Sequence, residues 1–258
     1  MRLAIIFAIL IGSLSAKAAC EKRYIFGFVN TGPSFMVSDQ GEKQGHSYSL
    51  LRELVERIGC KSSENPASYA ANAELFKRNG LDIYGLSIPD SNLENRGEFV
   101  EVYRVPRWLI VRKDSFVPGA PISSYFKDKK IIFGSIIGRG LFIKPDEKEE
   151  LYKDHRIREY PTPAEVYSAL KSGKVQAAFT SPVFNYYFVR EEVRVKSLVT
   201  VLDTDYISPI GFYVSKSRLS PQERNSVRRH LADMKKDGSL QSITKDYLFE
   251  EDLKYYSP

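Results

Sequence analysis

The chain has 258 residues, 43% hydrophobic and 27% charged, enough to bury one large core or two smaller ones. Its net charge of +6 is mild, and basic residues are interspersed with acidic ones, as in Asp146-Glu147-Lys148-Glu149-Glu150 and Arg190-Glu191-Glu192, a distribution that gives no nucleic-acid footprint. The three histidines, His46, His155 and His230, lack metal-ligand spacing, and phosphate-loop and dinucleotide fingerprints are absent because Gly138-Arg139-Gly140 has no third glycine, so neither a metal nor another cofactor is expected.

Residues 1–18 read as a signal peptide: Arg2 precedes the apolar run Leu3 to Leu10, and small residues follow as far as Ala16-Lys17-Ala18. The run is interrupted by Gly12 and Ser13 and is short for a membrane span, so cleavage after Ala18 and a periplasmic product of charge +4 are expected. Export makes pairing the expectation for the two cysteines, Cys20 and Cys60. With Tyr24 to Val29 as a strand and Tyr48 to Ile58 as the crossover helix of a βαβ unit, each cysteine precedes one of two parallel strands, at the same edge of the sheet. The competing reading is a lipid anchor at Cys20, which Lys17 disfavours.

Leu50, Leu51, Leu54, Val55 and Ile58 share one helix face, and Gly59 supplies a left-handed cap. A second helix is predicted over Asn72 to Arg78, stopped by Asn79-Gly80, with a buried strand over Leu81 to Ile88. Phe99 to Arg112, rich in Val, Tyr, Trp and Ile, is long enough to cross from one lobe to another. Thr162-Pro163-Ala164-Glu165 is a capping box that opens a helix with Val166, Ala169 and Leu170 on its apolar face, and the strand Val175 to Thr180 follows Gly173. Tyr206 to Val214 forms a second crossing segment. Ser220-Pro221-Gln222-Glu223 then starts a helix with Val227, Leu231 and Met234 on one face, expected to return to the first lobe.

Aligning Leu75 to Asp82 with Ala169 to Gln176 superposes two helix–turn–strand units and sets Ser87 on Ser181, both at the carboxyl ends of equivalent strands, where open α/β sheets bind ligands. Two α/β lobes of similar design follow: residues 19–104 with 208–258 form lobe 1, and 105–207 form lobe 2 as an insertion.

The order of these signals resembles the periplasmic solute-binding proteins that deliver polar amino acids to ABC importers. The resemblance is carried by Gly45 leading into Ser49-Leu50-Leu51, by Leu75 to Ile88, Trp108 to Lys113, Lys129 to Gly134 and Gly173 to Ala178, and by Gly211-Phe212-Tyr213-Val214. It implies two Rossmann-like lobes with a hinge of two crossing strands, the type II periplasmic-binding fold, closing on one solute by hinged motion. Carried over by position, the solute site would comprise Asn30 and Phe35 from one wall, Tyr84, Gly85 and Ser87 from lobe 1, and Gly138, Arg139, Gly140 and Ser181 from lobe 2. Its partners would be a small polar solute and a permease or sensor in the inner membrane, with the receptor a monomer.

Three departures from the family pattern bear on the solute. An acidic residue that pairs with the ligand ammonium is replaced by Ser181; the arginine that clamps its carboxylate is displaced to Arg96, where either a cleft role or a solvated loop position is open; and Gly32 stands where an aromatic platform is usual. A buried ammonium without an acidic partner carries a large desolvation penalty, so a solute other than an ordinary α-amino acid is expected. Arg139, in a glycine-flanked turn at a predicted helix start, can hold an anion, or point outward while the glycines shape the turn. Tyr103, Arg104, Arg107 and Trp108 lie near the first crossing, where Trp108 is expected in the core. His46 is expected at the surface or as a cap. An import receptor, a soluble signalling receptor of the same fold and an enzyme are the three readings, the enzyme last because no acid–base pair is mapped.

Overall fold

The computed structural model describes residues 20, 22–30, 32–187 and 197–256; the expected signal peptide lies outside the described residues. The first strand, β1 (Arg23–Val29), buries Phe26 and Phe28 and is followed by a small hairpin, β2 (Met36–Val37) and β3 (Lys43–Gln44). Helix α1 (His46–Ile58) seats Leu50, Leu51, Leu54 and Val55 in the core, and Gly59 ends it at φ 79°, donating its N–H to the Val55 carbonyl. Strand β4 (Lys61–Ala67) then pairs parallel with β1 from Arg23 opposite Lys61, and the Cys20–Cys60 disulfide, Cα atoms 4.8 Å apart, fastens the strands where they start. Helix α2 (Tyr69–Lys77) begins three residues earlier than predicted, because the Ser68 hydroxyl accepts the Ala71 N–H and caps it. Strand β5 (Ile83–Ser87) pairs parallel on the other side of β1.

After the short α3 (Ser91–Glu94) comes β6 (Gly97–Arg112), buried along most of its length. The chain next forms α4 (Ile122–Lys127), β7 (Phe133–Ile136), α5 (Pro145–Lys153), β8 (Ile157–Tyr160), α6 (Pro163–Lys171), β9 (Ala177–Phe179) and α7, described over 182–187. At α6 only half of the expected capping box forms, the Thr162 hydroxyl accepting the Glu165 N–H. Strand β10 (Leu198–Ser215) runs back antiparallel to β6 and pairs on its other side with β5, Gly211 opposite Ser87. The order β4-β1-β5-β10-β6-β9-β7-β8 is thus one eight-stranded sheet whose two central strands join a β4-β1-β5 side to a β9-β7-β8 side.

The second crossing strand begins well before the predicted Tyr206. Its pairing jumps from Asp203 opposite Arg107 to Ile207 opposite Pro106, so 204–206 bulge out of the ladder. At the bulge, Arg107 is 2% exposed and bonds Glu147 of α5 at 2.6 Å and Asp203 at 2.5 Å, a buried network whose charges are paired from two elements.

Helix α8 (Pro221–Lys236), opened by the expected Ser220–Glu223 capping box, packs Val227, Leu231 and Met234 with α1 residues into the core of the β1 side. Helix α9 (Ser239–Lys245) and a 3₁₀ turn, Glu250–Tyr255, complete the described chain. On the far side, Leu109, Val111, Phe133 and Phe179 center one cluster and Ile110, Val166 and Leu170 another, on opposite faces of the sheet.

Candidate functional site

A cavity of about 720 Å³ opens between the two sides of the sheet at the carboxyl ends of β5 and β9, the position that open α/β sheets give to ligands. Ser87 is the last residue of β5, and Ser181 follows β9 by two residues; both line the cavity with Tyr84, Gly138, Arg139 and Gly140. The Ser87 hydroxyl is buried and has no hydrogen-bond partner among the described residues. A polar atom so placed is costly unless something else bonds it.

Arg139 is a cation of the cavity lining. One guanidinium nitrogen donates to the Phe179 carbonyl at 3.4 Å, and the group lies over the Phe184 ring at 4.8 Å and near Phe142 at 5.9 Å. Among the described residues no carboxylate pairs with it, whereas Arg107 has two. Burial pushes the phenols of Tyr69 and Tyr167 up, opposed at Tyr69 by the Arg139 charge and at Tyr167 by the Thr180 hydrogen bond and then the Arg139 charge. The helix after this turn begins only at Pro145, so Arg139 does not stand at a helix start as predicted; its anion-binding capacity is that of its own guanidinium.

Asp90, a carboxylate of the lining beyond β5, is engaged locally, its Oδ1 accepting both the backbone and side-chain N–H of Asn92 at 2.9 Å, which caps α3. Glu159 and Lys148 sit toward the exposed rim.

Four predicted residues lie outside the lining. Asn30 is exposed at the end of β1, its N–H bonded to the Ala67 carbonyl. Phe35 is 2% exposed and stacks on Phe28 at 5.3 Å in the core, leaving its neighbour Ser34 to face the cavity. Gly85 serves the packing of β5 on β1, since a Cβ there would stand 2.9 Å from the Gly27 carbonyl oxygen. Arg96 is exposed in the turn after α3, where its backbone bonds Leu93 and Lys216, so of the two positions left open for it, the solvated loop is the one observed. At the first crossing Trp108 is in the core as expected and Arg104 is exposed beside Glu101.

His46 departs from its expected surface place. It is the first residue of α1, covered by α9, stacked with Tyr103 and tilted against Tyr247, and its Nε2 lies 3.3 Å from both the Tyr103 hydroxyl and Thr244 Oγ1. Burial without a charged partner pushes its imidazole down to about 3, so it lines the cavity as a neutral group. Sequence reasoning also missed Tyr69, Tyr206 and Tyr256. Ser68 as a cap was a usable signal for Tyr69; the bulge that brings Tyr206 into the lining and the return of the chain end carry no local signal.

Two α/β sides joined by a pair of crossing strands around a polar cleft define the type II periplasmic-binding fold. Residues 24–250 match the model for bacterial extracellular solute-binding proteins, family 3, and the chain belongs to that family. Among solved structures it is similar to an ABC uptake transporter substrate binding protein from Streptococcus pneumoniae with bound histidine, at 14% identity and a TM-score of 0.72, covering 87% of this chain and 92% of that one. A histidine kinase sensor domain with similarity to periplasmic binding proteins matches at 18% identity and 0.70, over 89% and 97% of the two chains. An ancestral amino acid-binding protein that is a precursor of cyclohexadienyl dehydratase matches at 18% and 0.67, over 88% and 94%.

Proposed function

We propose that the chain is an exported periplasmic receptor that closes two lobes, residues 19–104 with 208–258 and residues 105–207, on a small anionic solute for an ABC importer. The observation that carries this reading is Arg139: a guanidinium in the cleft, flanked by rings and unpaired by any carboxylate among the described residues. An anion placed there gains a charge-assisted hydrogen bond, strengthened when closure removes water. Ser87 and Ser181 offer hydroxyls from opposite sides of the cavity to the rest of the solute. Ser181 offers a zwitterion's ammonium no charge and Asp90 already gives its Oδ1 to the cap of α3, so a solute other than an ordinary α-amino acid is favoured.

The family supports a binding role over an enzymatic one, and the similarity to a kinase sensor domain gives a signalling receptor as the second reading. A thermal-shift screen tests the proposal, since a specific solute raises apparent stability by mass action. Organic acids or phosphorylated compounds are expected to stabilise the protein. Stabilisation by common α-amino acids alone overturns the assignment of the solute, and conversion of a solute to product overturns the non-enzymatic role.

A further inference from the structure

The chain end returns to the cleft and touches the far side of it. Phe249 packs edge-on against Tyr186 of α7 at 5.1 Å, and Tyr255 against Trp108 of β6 at 6.0 Å. Tyr256, 7% exposed, packs edge-on against Tyr103 at 4.9 Å, shares a buried apolar cluster with Val183, and lines the cavity. Val183 is in the first turn of α7. The same side chain thus rests on Tyr103, in the core of the β1 side, and on the α7 terminus beside Ser181.

We propose that residues 249–256 are a third tie between the two sides of the cleft, additional to β6 and β10, and that Tyr256 is its closing contact. The proposal rests on the cleft reading above, without depending on what the solute is. Each closure that brings α7 to the chain end makes the apolar contact of Val183 with Tyr256 and the Phe249–Tyr186 ring contact, and each opening must break them or carry the turn along. The tie therefore holds part of the population closed with no solute present. It also places a phenol in the wall that the solute meets.

Both tests use the full chain without solute, so their outcome is independent of whether the cleft takes an anion. In the Phe249→Ala variant the ring contact with Tyr186 is lost; amide exchange over 183–187 is expected to rise tenfold or more, with exchange in β1 and β5 unchanged. In the Tyr255→Ala/Tyr256→Ala variant, small-angle scattering is expected to report a larger radius of gyration at unchanged far-UV dichroism. If the double variant does not fold, the Phe249→Ala exchange measurement decides alone. Unchanged exchange over 183–187, or a folded double variant with the scattering profile of the parent, overturns the proposal.

Discussion

Gly138 lies against Ala70 across the cleft: a Cβ at position 138 would stand 2.8 Å from the Ala70 amide nitrogen. Gly140 makes a second approach of the same kind, where a Cβ would fall 2.5 Å from Cγ1 of Ile88. Residue 70 belongs to α2 and residue 88 follows β5, so both contacts join the turn that carries Arg139 to the opposite side of the sheet. The absence of side chains at these two points lets the sides meet.

Gly138→Ala tests that contact. Position 138 has φ 75°, where an L side chain costs roughly 1 kcal/mol, and the added methyl also meets backbone that cannot step aside. Solute affinity is expected to fall at least tenfold with a small loss of thermal stability, because the methyl obstructs the closed arrangement more than the fold. Isothermal titration beside a melting curve separates the two effects. Equal losses in both would remove Gly138 from the closing contact.

Replacing Arg139 with Ala is expected to weaken binding of an anionic solute and to shrink its stabilising effect. Losing a charge-assisted hydrogen bond in the cleft is worth about 2 kcal/mol or roughly thirtyfold in affinity. Arg139→Lys should recover only part of it, since an ammonium lacks the guanidinium's planar fork. Titration of both variants with the best solute from a stability screen checks this, and unchanged affinity would place the anion elsewhere.

His46 makes stability fall in acid. Its imidazole is held near 3 when folded against about 6.5 when unfolded, so the unfolded chain takes up a proton first as pH falls, and stability is lost between about 6.5 and 3. The full shift corresponds to a few kcal/mol. His46→Gln, neutral at every pH, should flatten the fall in denaturant midpoint between pH 6.5 and 4; parallel curves for the two proteins would show that the histidine titrates normally.

Asp252, in the terminal turn, acts in the opposite direction. Burial first, and then the neighbouring Glu251 charge, push its carboxyl from 3.8 up to about 6, so the folded protein binds the proton more tightly and stability is lost as pH rises through that interval. Asp252→Asn is expected to be the more stable protein at pH 7 by on the order of 1 kcal/mol, and to match the parent below pH 4. Melting temperatures at the two pH values decide it.

Much of the fold is legible in the sequence because it rests on local rules. The α1 face, the Gly59 cap, the Ser220 box and the alternation of helix with strand each follow from a few residues. Pairing of Cys20 with Cys60 follows from the parallel order of β1 and β4. The site is legible where it lies at strand ends, as at Ser87 and Ser181, and illegible where distant chain segments make it. His46 is neutral and buried because α9, some 200 positions later, covers it, and Tyr256 reaches the cavity only through the packing of the last turn. The displaced start of α5 has a similar cause: 141–143 are drawn into the interior by Leu141, Phe142 and Ile143, which leaves the turn at Arg139 irregular.

The paired crossing strands restrict how the molecule can rearrange. β6 and β10 are bonded to each other along nearly their entire lengths, so they behave as one ribbon and not as two independent cords. A ribbon resists bending within its plane and yields to flexing across that plane and to torsion. Rotation of one side against the other is therefore expected to pass through both strands together, with the stretch at 204–206, outside the ladder, as the softest point and the Arg107 network immediately beside it.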